Sequence, residues 1–222
     1  MSVPRSNVTQ DYLKAVYAAG EWGDARVSVS ALAARMGVSA STASETVRRL
    51  AAEGLVHHEP YGGITLTEPG RRAALAMVRR HRLIETLLVE HLGYGWDEVH
   101  DEAEVLEHAV SDLLVERADV LLGRPARDPH GDPIPAADGT VRLPPGVPLA
   151  ALPEGEAGPV VRISDDEPQV LRHLASIGVV LDAPVRVTER RAFAGTTVLE
   201  VGPDAAVVEL GDPAVAAVWV GR

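Results

Sequence analysis

The hydrophobic pattern changes twice along the chain. It has helical spacing up to Leu122, then a proline-rich stretch, then short apolar runs bounded by turns. In residues 7–22, Tyr12, Leu13, Val16 and Tyr17 form an apolar stripe, and Asn7 or Thr9 can cap the helix. Ser30 is expected to cap a short helix, "ALAARM", and Gly37 to stop it in the left-handed conformation glycine tolerates. Ser39 or Ser41 then caps "STASETVRRLAAEG", which ends at Gly54. Two β-rich runs, "LVHHE" and "ITLT", flank the tight turn "PYGG". A long helix over 68–92 follows, with Pro69 in its first turn. Trp96 and Asp97 open a further helix through residues 100–112, and Ser111 caps a last one running to Leu122. Leu113, Leu114, Val120, Leu121 and Leu122 are available for burial on it. Residues 125–159 hold nine prolines, which excludes a helix or a central strand and reads as a linker with an ordered portion at "RDPHGDPIP". From Val160, short strands around the helix "EPQVLRHLASIG" predict a small closed β-barrel.

Helix, tight glycine turn, helix and hairpin together spell a winged helix-turn-helix, whose second helix enters the major groove of DNA. Ser39, Ser41, Thr42, Ser44 and Glu45 put small hydrogen-bonding groups on the first turns of that helix. Arg48 and Arg49 can neutralise phosphate, and Tyr61 with the two wing glycines can approach the backbone.

Composition sets further limits. The 222-residue chain has 46% apolar residues and one phenylalanine, so its core rests on Ala, Val and Leu. With no cysteine, disulfides and thiolate metal sites are both excluded. No apolar run is long enough to span a bilayer, and a cytoplasmic protein is expected. Lys14 is the single lysine against twenty arginines, which looks like coding bias. The net charge of −11 is unevenly spread: residues 1–82 balance at +4 and residues 83–122 at −10.

The acidic stretch "HDEAEVLEHAVSD" carries two histidines and five carboxylates. On a continuous helix, His100, Glu104, Glu107 and His108 would share an arc of about 100°. Four groups able to bind a divalent cation would then lie on one face. The bland reading is a solvated acidic helix. Upstream, His81 and Glu85 are also spaced i, i+4.

With winged head, "RRHRLIETLL", "VHDEAEVLEHAVSD" and "DPHGDPIP" in this order, the chain resembles metal-dependent repressors of the diphtheria toxin repressor (DtxR) type, manganese-responsive branch. The resemblance implies a mainly α protein with small β parts. It comprises a winged helix-turn-helix over 1–72, a helical metal-binding and dimerisation domain over 73–136, a linker over 137–158, and an SH3-like, FeoA-like domain over 159–222. It places a primary metal site on Asp11, Glu104, Glu107 and His108, and an ancillary site on His81, Glu85 and His100. Longer relatives add a Glu and a Gln from the barrel; Glu167 matches the first, while Val170 holds the second position beside Gln169. Iron-type members carry Met where this chain has Asp11 and Cys where it has Glu104, so the all-oxygen and imidazole shell favours Mn²⁺ over Fe²⁺. In some manganese-type relatives a second carboxylate follows three residues after the helix-1 aspartate; here Lys14 stands there, which argues against a tightly coupled two-ion centre.

The expected partners are double-stranded operator DNA and a second copy of the chain, with no membrane and no small organic ligand. His57, His58, His91, His130 and His173 read as surface or packing residues, Glu102 as solvated, and Trp22, Trp96 and Trp219 as core anchors. A metalloprotease is disfavoured because Glu104 stands where "EVLEH" would need its first histidine. A regulator sensing an organic effector would want an aromatic pocket, which one phenylalanine does not supply.

Overall fold

The computed structural model describes residues 6–21, 27–59 and 63–222, which form two compact units. The first unit comprises the described residues up to His81 together with Glu107–Leu114 and Pro135–Thr140.

It opens with α1 (Asn7–Glu21), whose face of Tyr12, Leu13, Val16 and Tyr17 is buried as its spacing predicts. The cap is Ser6, whose Oγ accepts from Thr9 N, and not Asn7 or Thr9: the chain turns helical one residue before the apolar stripe requires it. Likewise α2 (Val29–Arg35) is capped by Ser28, which is extended and accepts from Ala31 N; Ser30 already lies inside the helix. Ser39 caps α3 (Ala40–Ala52) by accepting from Thr42 N. Strands β1 (Val56–Glu59) and β2 (Gly63–Leu66) pair antiparallel, and a single bridge from Val27 to Ile64 lengthens the wing sheet. Leu32, Val47, Leu50, Leu55 and Ile64 complete this core.

Helix α4 (Glu68–Leu92) begins where Thr67 Oγ1 accepts from Gly70 N. Gly70 has to be glycine, since a Cβ there would meet the Leu55 carbonyl oxygen at 1.9 Å. The helix contributes residues up to His81 to the first unit and the remainder to the second.

The acidic stretch departs from expectation. Helix α5 (Val99–Leu106) ends before Glu107, and residues 107–109 form a turn. The Arg80 guanidinium donates to the carbonyls of Glu107 and Val110, satisfying acceptors left free where the helix stops. His100, Glu104, Glu107 and His108 therefore do not share one helix face. Ser111 Oγ accepts from Leu114 N and caps α6 (Asp112–Leu121), as expected.

Part of the proline-rich stretch is folded rather than linker-like. It carries the edge strand β3 (Gly146–Pro148) and a 3-10 turn at Leu149–Ala151. Strand β4 (Ala157–Ile163) also starts three residues earlier than predicted, its first residues pairing with β5 (Pro184–Arg191) before a bulge brings it onto β8 (Val218–Gly221). With α7 (Pro168–Ser176), β6 (Thr196–Val201), β7 (Ala206–Gly211) and α8 (Asp212–Ala216), these build a six-stranded antiparallel sheet in the order β3-β8-β4-β5-β6-β7. Its edges are β3 and β7, so it is an open SH3-like sheet and not a hydrogen-bonded ring. Its core is aliphatic, with Leu149, Val160, Ile163, Leu171, Val187 and Leu199 fully buried.

Candidate metal centres and nucleic-acid interface

In the first unit, Asp11 on α1 converges with Glu107 and His108 from the turn after α5. His108 Nε2 lies 2.8 Å from Asp11 Oδ1 and 3.5 Å from Glu107 Oε1. The other His108 nitrogen, Nδ1, is 3.0 Å from Gln10 Oε1. Donation of Nδ1–H to that amide oxygen leaves Nε2 as the ligating atom, the arrangement that fixes a metal-binding imidazole. Glu107 Oε1 is buried with no hydrogen-bond partner among the described residues. A buried carboxylate oxygen without a donor is costly unless a cation completes it, so this donor set fits a divalent ion.

Glu107 Oε2 is differently engaged, 2.6 Å from His81 Nδ1 and 2.7 Å from Lys14 Nζ. Burial opposes ionisation of the Glu107 carboxyl, but the hydrogen bond from His81 and the Lys14 charge hold it below its ordinary range.

The second unit gathers Glu85, Asp128, His130, Asp165 and His100 in two overlapping triads that share Glu85. His130 Nε2–H donates to the Trp96 carbonyl at 2.6 Å, and its ring stacks on Trp96 at 5.9 Å. That leaves Nδ1 buried with no hydrogen-bond partner among the described residues. An imidazole oriented by a backbone carbonyl and presenting a bare nitrogen to carboxylates again fits a divalent cation. The loop carrying it is tightly held. Asp128 Oδ1 accepts from the backbone of His130 and Asp132, Arg82 approaches Asp128 and Asp132 at 3.4 Å, and Arg162 pairs with Asp132. Gly131 turns this loop at φ +89°, where a Cβ would sit 2.1 Å from the Val161 carbonyl oxygen.

Charge is compressed here. Burial, then Asp132 and Glu85, push the Asp128 carboxyl up to about 8. Burial disfavours the charged form of His100, but Asp165 and Glu85 outweigh it and raise the imidazole to about 10. Asp165 is held at about 2, its partnership with His100 overcoming burial.

The residues named from the sequence thus divide. Asp11, His81, Glu107 and His108 lie in the first unit; Glu85, His100, Glu104 and Glu167 lie in the second. His81 and Glu85, one helical turn apart, fall on either side of the division of α4. Glu104 stands 3.6 Å from His100 Nε2. Glu167 is exposed ahead of α7, while Asp165, two residues earlier, lies 2.9 Å from His100 Nδ1. Sequence reasoning missed Asp128, His130 and Asp165. An Asp and a His two apart in a Pro- and Gly-bounded turn was the available signal, and of the two roles expected for His130, surface or packing, it is the buried one that the structure shows.

On the winged head, Ser39, Ser41, Thr42, Glu45, Arg48 and Arg49 are exposed and Ser44 is half-buried. Ser39 Oγ is 2.8 Å from both Ser41 Oγ and Thr42 Oγ1, a hydroxyl cluster at the start of α3. Arg48 Nε reaches back to the Ser44 carbonyl. Arg49 bonds Glu53 and, on α1, Thr9 Oγ1. Tyr61 and Trp22 lie outside the described residues.

A winged-helix head followed in the chain by carboxylate and imidazole clusters is the make-up of a metal-responsive DNA-binding regulator. Residues 6–64 match the iron dependent repressor N-terminal DNA binding domain, 67–136 its metal binding and dimerisation domain, and 147–222 the FeoA domain. A solved manganese-dependent transcriptional repressor in complex with manganese is 60% identical over 96% of this chain and 99% of its own, with a TM-score of 0.92. The iron-dependent repressor IdeR of Mycobacterium tuberculosis is 35% identical over 88% of this chain and 90% of its own. The chain belongs to the iron-dependent repressor family of metal-dependent transcriptional repressors, which are not enzymes. Its family domains are those of DNA binding and dimerisation. Among the described residues no helix is long and apolar enough to cross a membrane.

Proposed function

We propose that the chain is a manganese-activated repressor that binds palindromic operator DNA as a homodimer. The observation that carries this reading is the convergence of Asp11, on a helix of the DNA-binding head, with Glu107 and His108 from the acidic segment. A divalent ion held by these residues would supply positive charge where two carboxylates crowd, Glu107 Oε1 without a hydrogen-bond donor. Asp11 then fixes α1 to that segment. Helix α1 in turn holds the recognition helix α3 through the Arg49–Thr9 hydrogen bond, so the head's orientation follows Asp11.

The choice of Mn²⁺ rests on donor softness. Both clusters offer only carboxylate oxygens and imidazole nitrogens, and the chain has no cysteine. Glu85, Asp128, His130, Asp165 and His100 would hold a further ion in the second unit, where Glu104 lies beside His100. Fe²⁺ is the alternative, favoured by the likeness to IdeR. Leu113, Leu114, Val120 and Leu121 stay exposed on one short helix, α6, and supply the apolar surface a twofold dimer would cover. Two recognition helices related by that axis would read two half-sites, with Ser39, Ser41, Thr42, Ser44 and Glu45 at base edges and Arg48, Arg49 and Tyr61 at the backbone. Gel-shift titration of a candidate promoter tests this: binding is expected with Mn²⁺ and lost on adding EDTA. Binding unaffected by the chelator contradicts it.

A further inference from the structure

We propose that the Lys14 ammonium is a built-in cation in the first unit's site, so that this site takes one divalent ion and not a pair. The inference rests on the reading of Asp11, Glu107 and His108 as a metal site. Lys14 follows Asp11 by three residues on α1, so both side chains leave the same face of the helix. Its Nζ lies 2.7 Å from Glu107 Oε2 and 2.9 Å from His81 Nδ1, and those two atoms are themselves 2.6 Å apart. Glu107 Oε2 thus accepts from both the Lys14 ammonium and His81 Nδ1, and the ammonium occupies the place beside those two groups that a second metal ion would need.

Glu107 is divided between two cations. Oε2 serves Lys14, while Oε1 faces His108 Nε2 on the side of Asp11. The Glu107 side chain is fully buried and that of Lys14 nearly so, with 15% of it exposed. An ion entering beside His81 would have to displace a partly buried, paired ammonium and leave the fully buried Glu107 without it, which is unfavourable.

Residue choice supports the assignment. The chain uses arginine at every other basic position, twenty times, and lysine only here. An ammonium is a compact point charge with three donors, whereas a planar guanidinium would spread its charge and require a fork of acceptors. Lys14 also neutralises Glu107 when no ion is bound. The metal-free site is therefore partly assembled, and the bound ion's work falls on Asp11 and His108.

Native mass spectrometry of Mn²⁺-loaded full-length protein counts the ions directly. His108→Ala is expected to lose one ion per subunit relative to wild type, and Lys14→Glu to gain one. Lys14→Met should lower the melting temperature in EDTA by several degrees, because Glu107 loses its counter-charge. Loss of two ions from His108→Ala overturns the proposal, as does an unchanged count in a Lys14→Glu protein that circular dichroism shows to be folded. An unaltered EDTA melting temperature in Lys14→Met overturns it too, so a poorly folding Lys14→Glu leaves the question decidable. Loss of no ion from His108→Ala is a different failure: it removes the metal site itself, and the role of Lys14 falls with it.

Discussion

Arg49 on the recognition helix donates to Thr9 Oγ1 on α1 at 3.2 Å, two residues before Asp11. Thr9 is buried, and its hydroxyl also lies 3.1 Å from Ser6 Oγ. A candidate metal ligand and a candidate DNA-contacting helix are thus joined by one side-chain hydrogen bond within the first unit. Thr9→Val keeps the shape and deletes the acceptor, at a cost of about 1 kcal/mol. The variant should still bind Mn²⁺, while the stimulation of operator binding by Mn²⁺ falls about fivefold. Fluorescence anisotropy with labelled operator, with and without the ion, measures that ratio; full stimulation would show that the link carries no coupling.

Ligand softness is tested by Asp11→Met combined with Glu104→Cys. The double variant introduces the sulfur donors of iron-type members and should shift activation towards Fe²⁺ relative to Mn²⁺. Activation curves for the two ions that keep their wild-type separation would show that selectivity has another origin.

The second unit gives a separate prediction. His130→Ala removes the buried imidazole whose Nδ1 faces the carboxylates, together with its stack on Trp96. One Mn²⁺ per subunit should be lost, and the rise in melting temperature on adding Mn²⁺ should shrink. An undiminished ion count would mean that His130 only packs.

The pH dependence of that unit follows from His100 and Asp128. His100 is raised to about 10, so its contribution to metal-free stability is complete below about 6.5 and is lost as pH rises through about 10. Asp128, raised to about 8, favours its neutral form when folded; its contribution also declines as the pH rises towards that value. Asp165 works in the opposite sense, but only below about pH 4. Melting temperatures in EDTA should therefore fall from pH 7 to 9. Binding a divalent ion requires these ligands deprotonated, so Mn²⁺ affinity should rise over the same interval with release of roughly one to two protons. Calorimetry in buffers of different ionisation enthalpy counts the protons; none released would contradict the assignment.

Much of this was legible in the sequence because local rules govern it. The stripe of α1, the glycine stops after α2 and α3, the Ser111 cap and the long α4 each depend on residues within a turn or two. Legibility ended where distant groups decide. Nothing near Leu106 shows that α5 stops there; the carbonyls of Glu107 and Val110 are taken up by Arg80, far off in sequence. Reading 100–112 as one helix put four ligands on a single face, whereas the turn at Glu107 turns two of them towards Asp11. Asp128, His130 and Asp165 were hidden for a similar reason. A proline-rich stretch resembles a linker until Arg82 and Arg162, far off in sequence, pair with Asp132, and Asp128 accepts from the backbone of the turn, so that the loop can be buried.

Asp11 is the residue through which metal is proposed to act on DNA, and Asp11→Asn isolates that coupling by keeping the side chain's shape while removing its charge. Operator affinity should be measured for wild type and variant, each at saturating Mn²⁺ and in EDTA. For wild type the ion should tighten binding by about 5- to 150-fold, the usual span of coupling between two sites, and operator DNA should tighten Mn²⁺ binding by the same factor. The variant should still dimerise and take up Mn²⁺ more weakly, yet bind operator almost equally with and without it. Undiminished Mn²⁺ stimulation of Asp11→Asn would rule out coupling through Asp11 and leave it an ordinary acid near the start of its helix.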